Sequence, residues 1–261
     1  MDKTHPTRLP PKLVALAALA LTSALCCGLY AARVIYTGRL SYALLVWNLF
    51  LAWVPLVFAL AAHGLHRTGR GFGLALALPF AGLWLLFLPN APYVLTDLTH
   101  LGAVDGAPRW FDVMLLFAFG WTGLMLGFVS LYLMHDLVDR VLGRAMGWLF
   151  VLATLALSSF GIYLGRFERW NSWDLVFNTE ALLRDIYFRL RHPLSDPRTL
   201  VFSIIFTVFF LTAYLILMSF ARLQADRRVP ATAPALAYTA ARRLWLEAQR
   251  KAGDPEDRLA G

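Results

Sequence analysis

Apolar residues along this chain come in long unbroken blocks, with the polar residues gathered into the gaps between them. Six blocks reach the length a helix needs to cross a bilayer, about 20 residues at about 1.5 Å of rise each. They are residues 13–32, 42–62, 72–88, 111–134, 146–164 and 200–220. None shows the two-residue alternation of a membrane strand, and only helices or closed barrels satisfy their backbone groups in lipid. The pattern predicts an all-α fold, a polytopic transmembrane helical bundle. The first block exceeds the apolar core of a cleaved leader, and "GLYAAR" offers no small-residue cleavage site, so it reads as a retained span.

Polar punctuation breaks the third block at "LPNAPYVLTDLTHLG". Proline lacks a donor and disfavours helix at the residue before it, so Pro89 is expected to end the span near Leu88. Asn90 suits a new N-cap, Pro92 is tolerated in a first turn, and Gly102 suits a helix stop. The result is a short helix of roughly 11 residues, too short to cross a bilayer, and hence re-entrant or interfacial. At 100° per residue Asn90, Tyr93, Thr96, Asp97 and His100 share one side of it.

The fourth span opens on "RWFD", with Asp112 at a helix N-terminus where the dipole favours it. Its body carries Gly120, Gly123 and Gly127, spacing that permits close helix approach. The fifth span ends in a polar and aromatic stripe, Ser159, Tyr163, Arg166 and Trp170, directed to the same membrane face as the short helix. The connection after it, residues 165–199, holds a second periodic element. Val176, Leu182, Leu183, Ile186, Tyr187 and Leu190 recur at helical spacing beside Arg184, Asp185, Arg189 and Arg191. This predicts an amphipathic helix at the membrane surface or over the bundle mouth, closed off by Pro193 and Pro197.

Composition agrees with the blocks. The chain of 261 residues is 59% hydrophobic with a mean hydropathy of +0.60, against roughly 45–50% apolar usage in soluble domains. The net charge of +8 does not form a nucleic-acid face, because Lys and Arg sit in the gaps and in the C-terminal tail. Lys3, Arg8, Lys12, Arg67, Arg70, Arg140, Arg144 and the tail fall on one side of the membrane, which predicts both termini in the cytoplasm. The chain thus divides into an N-terminal segment, 1–12, a transmembrane domain, 13–220, and a basic, partly disordered tail, 221–261. Cys26 and Cys27, adjacent in an apolar run, offer no metal spacing and no loop to close.

Topology gathers the candidate chemistry at one end of the bundle: Asn90, Tyr93, Asp97, His100, Asp112, Arg166, Arg169, Asn171 and Asp174. Arg166 and Arg169 suit an anionic small molecule or a lipid headgroup, since guanidinium forks bind phosphate and carboxylate bidentately. Ion pairing with Glu168, Asp97 or Asp174 would occupy the same groups. A zinc site needs three or four ligands. Asp97 and His100 supply two and Asp112 or Asp174 a third, but no second histidine lies on this face. No cofactor motif is present. Three functions stay open: binding or transport at an extracytoplasmic polar site, a membrane enzyme using Asp97 or His100 on a lipid-linked substrate, and a structural membrane partner. On the opposite side His63, His66, His135 and Asp136 read as solvated flanks.

The motifs "LPNAPYVLTDLTHL", "WFD" and "GRFERWNSWD" together resemble a bacterial membrane family called domain of unknown function 1361, over roughly residues 47–220. The resemblance implies a small multi-pass membrane protein. It implies no activity, substrate or residue role.

Overall fold

A computed structural model describes residues 11–66, 72–101, 106–192, 195–226 and 241–249. Gly102, Pro193, most of the tail and the side chains of His100, Val176 and Leu190 lie outside the described residues. No strand occurs among those described. The helices are α1 (Pro11–Thr37), α2 (Ala43–His66), α3 (Phe72–Phe87), α4 (Asn90–Tyr93), α5 (Arg109–Leu142), α6 (Arg144–Phe167), α7 (Asp174–Phe177), α8 (Thr179–Arg191) and α9 (Pro197–Asp226). A 3₁₀ segment, Val94–His100, follows α4 directly. Six of the helical stretches are long and apolar enough to cross a membrane, so the chain is an all-α, multi-pass membrane protein. It divides into two compact units, residues 1–211 and 212–261. The described residues of the second are the end of α9 and a helical stretch at 241–249.

Helix α5 lies at the centre of the first unit. Leu115, Leu116, Phe119 and Leu126 are fully buried on it, and they meet α2, α6 and the 90–100 segment around them. The chain passes Pro89 differently from the expectation. Pro89 stays in the right-handed helical region, and Tyr93 N–H bonds back to its carbonyl at 3.0 Å. Asn90 therefore caps nothing; its Nδ2 donates to the Phe87 carbonyl and to Ser172 Oγ, each at 3.0 Å. The short helical segment is internal, with Ala91, Pro92 and Val94 buried.

Two local bonds accompany its tightening to 3₁₀. Thr96 Oγ1 donates to the Tyr93 carbonyl at 2.7 Å and Thr99 Oγ1 to the Thr96 carbonyl at 2.9 Å, three residues back each time. Three residues per turn replaces the single polar face with two rows. Tyr93, Thr96 and Thr99 form one, Val94 and Asp97 the other.

Two expectations about charged residues change. Asp112 does not join Asp97; it accepts from Arg33 Nε at 2.7 Å and Nη2 at 3.2 Å. Arg33 itself, near the end of the first span, is only 1% exposed. At the other end of the bundle the histidines are not solvated flanks. His63 Nε2 lies 3.1 Å from Asp136 Oδ2. The buried His135 ring lies 3.4 Å from Asp139 and edge-on to Trp148. Carboxylates at i+1 and i+4 of α5, facing α2 and its own next turn, explain both contacts.

Candidate functional site

Apolar side chains, leucine foremost, line most of a cavity of about 920 Å³ at the end of the bundle where α2 begins and α6 ends. Its walls come from Tyr42 to Leu51 on one side and from Leu157 to Arg166 on the other. The floor is Leu85, Leu86, Pro89, Asn90 and Tyr93, and Leu175, Leu182 and Ile186 cover it from α7 and α8. The amphipathic helix thus takes the place predicted for it over the mouth. Its buried Leu182 packs with Tyr163, Leu164, Trp170 and Phe202.

Asp97 and Arg166 meet inside this apolar enclosure. Asp97 Oδ1 accepts from Arg166 Nη1 at 3.2 Å and Oδ2 from Asn48 Nδ2 at 2.9 Å. Arg166 also donates to Thr99 Oγ1, and its guanidinium lies 6.0 Å from the Tyr93 ring centroid. The 3₁₀ turn makes this possible, because both of its rows, one through Tyr93 and Thr99 and one through Asp97, border the same guanidinium. Of the two readings of Arg166, its pairing with Asp97 is the one the structure contains.

Five of the predicted site residues line the cavity: Asn90, Tyr93, Asp97, Arg166 and Asn171. Asp112 does not, being held by Arg33. Arg169 is exposed and adopts a left-handed φ of 62° where α6 ends, a conformation that stops a helix and sends its side chain elsewhere. Asp174 organises its own turn, accepting from the Asn171 N–H at 2.7 Å and from Asn178 at 2.8 Å. Those bonds, the backbone one first, hold its carboxyl below the ordinary range. The His100 side chain lies outside the described residues. Among them, no group of three or more His, Cys, Asp or Glu side chains is placed to hold a metal ion.

Sequence reasoning missed Asn48, Ser172 and Tyr42. Asn48 had a signal: it is the single polar residue within the apolar run "LLVWNLFLAW", and polar groups at that depth hydrogen-bond across helices. Ser172 Oγ accepts from Asn90 and donates to the Leu86 carbonyl at 3.2 Å, tying the roof loop to the floor. Tyr42 has φ 67°, strained for a bulky residue. The Arg33 guanidinium lies 4.7 Å from its ring centroid.

The roof is clamped by Arg189, which reaches Glu168 at 2.8 Å, Asp185 at 3.0 Å and Asp196 at 3.3 Å. Tyr163 donates to Asp196 at 2.6 Å, and that bond, with Thr199 next, lowers the Asp196 carboxyl from its ordinary 3.8. A lowered carboxylate stabilises the fold above its unfolded value and loses that contribution as pH falls through the folded one. Amide exchange over residues 179–191, taken relative to the intrinsic rate at each pH, is therefore expected to stay slow down to the ordinary value of 3.8 and to rise below it. Asp196→Asn should flatten that rise. Roof exchange that already quickens near about pH 6 would contradict the clamp.

Residues 47–213 match the family described as "Protein of unknown function (DUF1361)". Neither the curated proteins nor the solved structures contain a match.

Proposed function

The chain belongs to the DUF1361 family, and from the geometry of its cavity we propose that it binds an amphiphile, with a polar head at Asp97 and Arg166 and an apolar part along α2 and α6. The observation that carries this is the contrast between the cavity and its rim. Inside sits one ion pair, with side-chain exposures of 14% for Arg166 and 7% for Asp97. At the rim Leu44 is 73% exposed, Leu157 55% and Trp47 52%. On membrane-spanning helices such residues face acyl chains, so a ligand can enter sideways from the bilayer while its head reaches the pair. A volume of about 920 Å³ lies near the top of the range for small-molecule sites, about 300–1,000 Å³. A headgroup alone would leave much of it empty.

The distribution of Lys and Arg supports an orientation with both termini in the cytoplasm and the cavity at the extracytoplasmic face of a bacterial inner membrane. The anion expected from an Arg166 and Arg169 pair becomes a headgroup read by Arg166 with Asp97, because Arg169 lies outside the cavity.

Purified protein analysed by native mass spectrometry is expected to carry lipid through mild detergent exchange. Leu44→Trp with Leu157→Trp narrows the rim at exposed positions that the fold tolerates. It should reduce the retained lipid about tenfold, equivalent to about 1.4 kcal/mol, at an unchanged elution volume. Undiminished retention in that variant would remove the proposal.

A further inference from the structure

Among the described residues lining the cavity, Asp97 and Arg166 are the two that carry charge. They lie in contact, Oδ1 to Nη1 at 3.2 Å, so the described lining has a strong local dipole and no net charge. That arrangement selects among amphiphiles. An anionic head drawn to Arg166 comes within reach of the Asp97 carboxylate, and the repulsion cancels much of the attraction in an apolar surround where both are strong. A cationic head meets the mirror-image problem. A head carrying both charges can lie antiparallel to the pair and satisfy each end.

Resting on the amphiphile reading above, we infer that the head is zwitterionic, a phosphate joined through a short linker to a primary ammonium, on a glycerophospholipid. The phosphate lies at Arg166 and the ammonium at Asp97. Guanidinium offers five N–H donors and carboxylate about four acceptor positions, so each accommodates a ligand group beside its protein partners. A primary ammonium brings three N–H donors to Asp97, which a trimethylated ammonium lacks. Tyr93, Asn171 and Ser172, uncharged and lining the same enclosure, suit the glycerol and ester oxygens.

The test uses the full chain, purified and stripped of lipid, with three phospholipids of identical acyl chains. Their heads are phosphoethanolamine, phosphocholine and phosphoglycerol. Bound lipid is counted by native mass spectrometry and checked by the thermal midpoint. Phosphoethanolamine lipid is expected to bind about tenfold more tightly than phosphoglycerol lipid, a charge-complementarity effect, with phosphocholine lipid weaker as well. Asp97→Asn should reverse the order by removing the repulsion. Asp97→Arg with Arg166→Asp keeps a neutral pair and should keep the phosphoethanolamine preference, which covers the case in which the single variant fails to fold.

Tighter binding of phosphoglycerol lipid by the unaltered protein overturns the zwitterion and leaves the amphiphile reading standing. Free phosphoethanolamine binding as tightly as the lipid overturns the lipid as its source. Equal binding of all three lipids, insensitive to the rim substitutions at Leu44 and Leu157, removes this inference and the reading beneath it together.

Discussion

Replacing Arg33 with alanine is expected to lower the stability of the bundle by about 3–5 kcal/mol, the range for stripping one partner from a buried ion pair. The Arg33 and Asp112 side chains are 0% and 5% exposed and 2.7 Å apart. Without Arg33 the Asp112 carboxylate stays at the head of α5 with no cation to offset its desolvation. The damage should spread to the cavity, because Arg33 also supports Tyr42, whose ring lines one wall in a strained backbone conformation. The thermal midpoint in detergent, followed by tryptophan fluorescence, should fall, and retained lipid should fall with it. Arg33→Leu with Asp112→Leu should recover most of the midpoint, since a buried pair and an apolar pair of similar volume are often close in energy. It should not restore lipid retention, because the guanidinium over the Tyr42 ring is still missing. A midpoint unchanged in Arg33→Ala would show that the pair carries no structural load.

Why Arg33 escaped a sequence reading, while the six spans did not, comes down to how each signal is written. Spans are continuous runs, and lipid imposes that pattern on every residue of the run. An arginine at the end of a span has two destinations, the headgroups or a buried carboxylate, and the choice depends on a partner 79 positions away. Arg166 presented the same choice with its partners among the named alternatives, because Asp97 lies on a motif already marked by Pro89 and Pro92. Asn48 was legible in principle, as a lone polar residue in an apolar run.

Local spacing misled where a turn intervened. Arg169 and Asp174 sit close to Arg166 in sequence, yet the left-handed residue that ends α6 and the bonds that shape the Asn171–Asp174 turn direct them away from the cavity. The switch from α to 3₁₀ after Tyr93 was not legible either. The two helices differ little in local preference, and packing against α5 contributes to the choice. One consequence of that packing can be measured.

Gly123→Ala is expected to destabilise the protein by about 1–3 kcal/mol, the usual cost of forcing extra atoms into a packed interior. A Cβ at Gly123 would lie 2.5 Å from the Ala91 carbonyl oxygen and 3.1 Å from the Val94 side chain. A Cβ at Gly120 would lie 3.1 Å from Leu95 Cα, and one at Gly127 3.2 Å from Ala91 Cβ. The three glycines form a shallow groove on α5 in which α4 and the start of the 3₁₀ segment are seated. An atom added at Gly123 meets backbone, which cannot swing aside as a long side chain can, so the whole 90–97 stretch has to move. Tyr93 and Asp97 move with it, and the cavity loses its floor and its carboxylate together. Gly123→Val should therefore cost more than alanine and abolish lipid retention. Gly82→Val, at a position with nothing within 4 Å, should change stability by no more than about 0.5 kcal/mol and leave retention intact. If Gly123→Ala melted and bound lipid like the unaltered protein, α4 would have slack against α5, and the position of Asp97 would have to be set from the Arg166 and Asn48 side alone.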